Sequence, residues 1–118
     1  MSSLDYFEMT VAQRDLIDEL RVIVVMGDKA ISHPLKQPEI RIGRFTGSTL
    51  VIDHESLSRF HAVLRIGPPM TIEDLGSVNG TFVREVKIKP GQHVPVTVGD
   101  VIRVGAVILI LRDSTTQL

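Results

Sequence analysis

Apolar runs in this chain are short, and glycine or proline interrupts them about every ten residues. The stretches between the breaks suit short β-strands. They are Leu20–Met26, Lys29–Leu35, Glu39–Gly43, Leu50–Ile52, Ala62–Ile66, Met70–Asp74, Thr81–Val83, Val86–Ile88, His93–Val96, Val101–Val104 and Val107–Arg112. Turn signals stand at Gly27-Asp28, Gly67-Pro68-Pro69, Gly76 to Gly80, Pro90-Gly91 and Gly105. No segment between strands is long enough for the helix that a parallel crossover needs. The pattern predicts an all-β fold, an antiparallel β-sandwich of about eleven short strands.

Alternation sets the buried face. In Val101-Ile102-Arg103-Val104, Arg103 is expected to face water while Ile102 and Val104 point inward. Val107-Ile108-Leu109-Ile110-Leu111 is apolar at every position, which predicts a central strand covered on both sides.

The two ends differ from this middle. Residues 1–19 are expected to form an extension, 20–112 the sandwich and 113–118 a polar tail. Thr10 and Gln13 have capping-box spacing, so a short helix over residues 11–18 is predicted there, with a flexible tail as the alternative. Thr10 itself reads two ways. It is the N-cap of that helix, or it is a phosphoacceptor that docks into a phosphate site in cis or on a second copy.

At 118 residues the chain has the length of one domain that can bury a core without disulfides or metals. Its net charge of −1 gives none of the basic bias that drives nucleic-acid binding. Arg41, Arg44, Arg59 and Arg65 are interspersed with Asp53, Glu55, Glu73 and Asp74, a local basic patch at most. The absence of cysteine excludes disulfides, thiolate metal sites and cysteine nucleophiles. The longest apolar runs, Val22 to Met26 and Ala106 to Leu111, are far short of a membrane span. The N-terminal residues are acidic, with no apolar stretch of the secretory kind. These features predict a cytoplasmic protein that makes no membrane contact.

Three groups at predicted turns carry chemistry: Ile42-Gly43-Arg44, Ser58-Arg59-Phe60-His61-Ala62 and Gly76-Ser77-Val78-Asn79-Gly80-Thr81. The guanidinium of Arg44 is a planar fork of donors matched to phosphate oxygens. Ser58 adds a hydroxyl donor, and loop amides can add more. No base–nucleophile pair, phosphate-loop motif or dinucleotide fingerprint accompanies them. His54, Glu55 and His61 lack the helical spacing of a metal site, so no metal and no cofactor is expected.

These groups, with Asp74 to Val83 and Val98-Gly99-Asp100-Val101-Ile102-Arg103-Val104-Gly105, resemble the forkhead-associated (FHA) domain signature in order and spacing. The resemblance covers about residues 20 to 112. It implies a phosphothreonine-peptide-binding module that works through ligand-binding apical loops of the sandwich, without catalytic activity, serving an upstream Ser/Thr protein kinase. It also implies roles. Arg44 and Ser58 match the phosphate-binding pair, and Arg59 the next position, which often adds a phosphate contact. His61 matches a histidine that braces the loops, with Gly43 and Gly80 as structural support. Asn79 matches the asparagine that bonds the peptide backbone beside the phosphoresidue.

Two positions depart from the signature. Val78 stands where many members carry Ser or Thr, and is expected to line a slot for the threonine methyl. Arg84-Glu85 replaces a common Asn-Gly turn and is expected to add charge near the surface that reads residues after the phosphothreonine. The resemblance fits a small adaptor, or the N-terminal sensor of a larger signalling protein such as a transcription activator or nucleotide cyclase. The rival reading is a structural assembly domain whose loops pack against a partner without phosphate.

Overall fold

The computed structural model describes Thr10 and residues 20–113. The helix expected over residues 11–18 lies outside the described residues, as does the tail beyond Asp113. The described chain is all β. Its strands are β1 (Leu20–Met26), β2 (Lys29–Pro34), β3 (Glu39–Gly43), β4 (Leu50–Val51), β5 (Ala62–Arg65) and β6 (Thr71–Asp74). β7 (Thr81–Val83), β8 (Val86–Lys87), β9 (Val94–Pro95), β10 (Val101–Val104) and β11 (Val107–Asp113) complete them. A six-stranded sheet runs β2-β1-β11-β10-β7-β8, and a five-stranded sheet runs β4-β3-β5-β6-β9.

Period-two patterning builds the space between the sheets. Leu20, Val22 and Val24 of β1, Ile102 and Val104 of β10, and Val107, Leu109 and Leu111 of β11 are buried. Ile40, Ile42, Ala62, Leu64 and Ile72 face them from the other sheet. Several strands end earlier than their apolar pattern, yet the next residue stays in the core. Leu35, Ile52, Ile66, Ile88 and Val96 are buried just past strand ends. Each amide bonds back to the scaffold, to the carbonyls of Leu20, Gly43, Pro38, Thr81 and Met70 respectively. The hydrophobic pattern therefore outlasts the ladder, because burial needs one side chain while pairing needs a partner strand.

Three expectations are corrected. The sandwich is not purely antiparallel, since β4 pairs parallel to β3 (Ile42 with Leu50, Gly43 with Val51). Parallel pairing normally needs a long return. Here β4 is two residues long, so residues 44–49 need to retrace only one step. β11 extends to Asp113, which pairs with Leu20 of β1, so the strand runs one residue into the predicted tail. β11 is central in its sheet but not sealed on both faces. Ile108 and Ile110 are half-buried. Among the described residues they are flanked sideways, by Ile23 and Val25 of β1 and by Val101 and Arg103 of β10.

β7 and β8 form a hairpin across Arg84 and Glu85, without the Asn-Gly signal. Both residues take positive φ, 49° and 68°, as a two-residue type I′ loop demands. Non-glycine residues pay about 1–2 kcal/mol in this region. Arg84 recovers part of that through an ion pair with Asp100 at 2.6 Å. Glu85 has no such ion pair among the described residues. Glu85→Gly is therefore expected to raise stability by about 1 kcal/mol. Its urea midpoint measures this, and an unchanged or lower midpoint would show the turn to be unstrained.

Candidate functional site

Four loops converge at one end of the sandwich: residues 44–49 after β3, 52–61 after β4, 75–80 after β6, and 105–106 between β10 and β11. Backbone bonds zip the first to the second, with Arg44 N donating to the Ser58 carbonyl and Phe45 N to that of Arg59, both at 3.1 Å. Gly43 is required by this approach, since a Cβ there would collide with the carbonyl oxygen of Arg59. The fourth loop joins through Gly105 N to the Gly80 carbonyl and Ala106 N to Ser56 Oγ.

His61 ties the second loop to the third. It is fully buried. Its Nδ1 accepts from Ser58 N at 3.0 Å, and its Nε2 contacts the Gly80 carbonyl at 2.9 Å. A carbonyl can only accept, so the ring is the tautomer protonated at Nε2. Both nitrogens are thereby committed, which leaves neither for a metal. Desolvation lowers the His61 pKa, opposed by the Gly80 carbonyl and the nearby Asp74 charge, and the ring is held neutral. Gly80 sits at φ +86°, which a glycine adopts without strain.

Asp74, at the end of β6, organises the third loop. It is 2% exposed. Its carboxylate accepts from Gly76 N, Ser77 N, Ser77 Oγ and Thr81 Oγ1. Burial pushes its pKa up, but these donors outweigh burial and hold it below the usual value. Ser77 Oγ then accepts from Gly80 N at 2.9 Å, closing the turn.

The predicted site residues come together on this frame. Arg44, Glu55, Ser56, Leu57, Ser58, Arg59, Val78 and Asn79 line one open cavity of about 290 Å³. Arg44 Nε donates to the Leu57 carbonyl. That bond fixes one edge of the fork, and the terminal amines have no other hydrogen-bond partner among the described residues. Ser58 Oγ accepts from Val78 N at 2.9 Å, so its own proton is free to be donated outward. Asn79 Nδ2 donates to the Ser56 carbonyl at 2.8 Å, leaving Oδ1 and one amide hydrogen for a ligand. The Val78 side chain is 85% exposed on the rim, while its amide is already used by Ser58. The cavity can thus offer a guanidinium edge, a hydroxyl and a primary amide to one anionic, backbone-bearing group.

Electrostatics separates the arginines. Arg41 pairs with Glu39 at 3.0 Å, and Arg65 with Glu73 at 2.8 Å and Glu39 at 3.5 Å. Arg44 and Arg59 have no carboxylate partner among the described residues. A larger cavity, about 460 Å³, is lined by Phe82, Arg84, Glu85, Gly99, Asp100, Val101, Arg103 and Ile108. Size does not make it the better anion site. Arg84 is neutralised by Asp100, while Arg103 lies 3.8 Å from the centre of the Phe82 ring and donates to the Gly105 carbonyl. Neither Arg84 nor Glu85 lines the cavity that holds Arg44. Thr10 is exposed.

Motif reading missed Ser56 and underrated Asp74. Ser56 receives Asn79 on its carbonyl and Ala106 on its hydroxyl, which also bonds His54 Nδ1 at 2.8 Å. Its partner Ala106 lies 50 residues away, so no local pattern marks it. Asp74 was detectable, since an acid ahead of Gly-Ser is a common turn former.

The His61 bridge has a consequence in pH. The folded ring binds a proton less readily than the unfolded chain, so below 6.5 the unfolded state takes up more protons. Stability is fully present above 6.5 and falls as pH drops from 6.5 toward the folded value. His61→Ala orphans Ser58 N, leaves the Gly80 carbonyl with Gly105 N alone, opens a cavity and should cost about 3 kcal/mol. Chemical denaturation at a series of pH values should show that cost and a shallower acid limb. A variant with the wild-type slope would remove His61 from the account.

The FHA domain family model matches residues 40–105. The chain is 37% identical to FhaB of Mycobacterium tuberculosis over 79 residues, 66% of this chain and 50% of that protein. It is 33% identical to the transcriptional regulatory protein EmbR of the same organism, covering 78% of this chain and 24% of EmbR. Kanadaptin of Homo sapiens is 37% identical over 53% of this chain and 10% of its own length. The chain therefore spans half or less of these curated relatives. Among solved structures, Mycobacterium tuberculosis EmbR in complex with a low-affinity phosphopeptide superposes with TM-score 0.71 at 28% identity, covering 83% of this chain and 26% of that one. A structure from work on phosphothreonine-dependent FHA domain interactions gives TM-score 0.66 at 28% identity, over 78% of this chain and 95% of that one. With the family model matching more than half of its length, the chain belongs to the FHA domain family.

Proposed function

We propose that this chain binds a phosphothreonine-bearing protein segment produced by a Ser/Thr kinase, without catalysis. The observation that carries the reading is Arg44. Its guanidinium is anchored on one edge by the Leu57 carbonyl and otherwise unpartnered among the described residues, in a cavity it shares with the Ser58 hydroxyl. A phosphate near neutral pH carries close to two negative charges and accepts several strong hydrogen bonds. Arg44 and Ser58 take the phosphate, Arg59 supplies further positive potential, and Asn79 holds the peptide backbone. Val78 lines the space beside the threonine methyl. Residues 20–112 are the binding unit. EmbR, a relative over 78% of this chain, was solved with a phosphopeptide, which supports the same use of these loops.

Bonds to charged groups contribute about 1.5–3 kcal/mol each. Two or three of them, less the entropy of holding a peptide, give a Kd of about micromolar order. The setting is cytoplasmic, in kinase signalling, with a transcription activator or nucleotide cyclase as the class of larger protein such a sensor serves. Thr10 is a second candidate source of the ligand, since it is exposed and phosphorylatable.

Calorimetric titration of a phosphothreonine peptide library tests this. Wild type should bind, unphosphorylated controls should not, and Arg44→Ala should weaken binding by about 10- to 100-fold. Equal binding of phosphorylated and unphosphorylated peptides would refute the reading. In the same assay, phosphorylated Thr10 should compete with outside peptide or change the oligomeric state; failure to do either removes it as a ligand.

A further inference from the structure

Beside the phosphate cavity stands an aromatic pair that the core does not use. Phe60 is 58% exposed and Phe45 36%. Strand-like alternation explains Phe60, since its neighbour His61 turns fully inward. The two rings are tilted, with centroids 5.1 Å apart. Arg59 lies over both, its guanidinium carbon 5.5 Å from one centroid and 5.9 Å from the other. The backbone of Phe45 is pinned to the Arg59 carbonyl, and its ring packs over Gly47, where a Cβ would collide with it. The Phe45 ring is thus seated against its own loop, with the Phe60 ring beside it.

Arg59 joins this platform to the cavity, because it lines the cavity with Arg44 and Ser58 while covering both rings. Asn79 and Val78 line the same cavity, and Asn79 is the residue placed to bond peptide backbone. A peptide that puts its phosphate on Arg44 and its backbone on Asn79 then runs, in the other direction, past Arg59 to the rings. Exposed aromatic faces supply contact area at low entropic cost, since each ring has few rotamers to lose.

We infer that Phe45 and Phe60, capped by Arg59, form a specificity subsite for one apolar side chain of the ligand. That side chain lies on the side of the phosphothreonine away from the Asn79-bonded backbone. The inference rests on the phosphothreonine reading above. It takes a leucine- or phenylalanine-like residue, because the floor is aromatic. It disfavours lysine, because the Arg59 guanidinium already lies over both rings.

The test uses alanine-based phosphothreonine peptides in which a leucine, phenylalanine, lysine or glutamate walks through the flanking positions. At one position leucine or phenylalanine should bind about tenfold more tightly than alanine, and lysine more weakly than alanine. In Phe60→Ala the leucine-to-alanine affinity ratio at that position should collapse toward one, and Phe60→Leu should restore part of it. Circular dichroism checks that the variants are folded. An apolar preference that survives Phe60→Ala, no preference at any position, or a preference for glutamate over leucine would each overturn the subsite while leaving phosphate dependence intact. Loss of phosphate dependence in the wild type would instead bring down the phosphothreonine reading and this inference with it.

Discussion

The buried His61 ring is the contact on which the loop end that carries the candidate site depends. It joins Ser58 N to the Gly80 carbonyl. Through them it fixes the loop that presents Ser58 and Arg59 relative to the loop that presents Val78 and Asn79. The backbone joins these loops at their base, where Leu75 N donates to the His61 carbonyl at 2.9 Å, and side-chain bonds set the spacing further out. Asp74 plays the complementary part within the third loop, gathering four donors around one carboxylate. Both groups are buried and both have every polar atom engaged: no buried side-chain polar atom among the described residues lacks a partner. A polar network of this kind specifies geometry because leaving any member unpaired in a low-dielectric setting is costly.

Fixed geometry matters because the ligand proposed for the site is strongly hydrated. Binding must replace water on a near-dianion with protein donors that are already oriented, or the desolvation is not recovered. The Leu57 carbonyl aims Arg44, the Val78 amide orients the Ser58 hydroxyl, and the Ser56 carbonyl turns Asn79. Each ligand-facing group is thus held by a bond that does not consume its outward donor. Charge is managed with the same division. Arg41 and Arg65 are neutralised on the sheet, while Arg44 and Arg59 on the loops have no carboxylate partner among the described residues.

Much of this was legible in the sequence, for physical reasons. Period-two burial and glycine–proline punctuation are local, so strands such as Glu39–Gly43, Thr81–Val83 and Val101–Val104 match their expected bounds. Arg44, Ser58, Val78 and Asn79 were found by motif, and the structure gathers them into one cavity. What could not be read was set by partners distant in sequence. The parallel seat of β4 depends on how residues 44–49 fold back. The half-open face of β11 depends on what packs over Ile108 and Ile110, which a run of apolar letters does not say. Arg84-Glu85 lacks the turn signal and still forms the hairpin, because pairing of Phe82 with Lys87 and Val83 with Val86 forces the chain to reverse there. Ser56 and the Phe45–Phe60 pair stayed hidden, since each acquires its role from residues on another loop.

The central claim is that a phosphothreonine enters a site whose donors are already in place. Side-chain nitrogen NMR of Arg44 and His61, followed while a phosphothreonine peptide is added, tests it most directly. The account predicts that the Arg44 guanidinium signals move with phosphorylated peptide and not with the unphosphorylated control. It also predicts that His61 is neutral and protonated at Nε2 before and after. Arg44 signals indifferent to phosphate, or a His61 ring that changes tautomer or charge on binding, would contradict it.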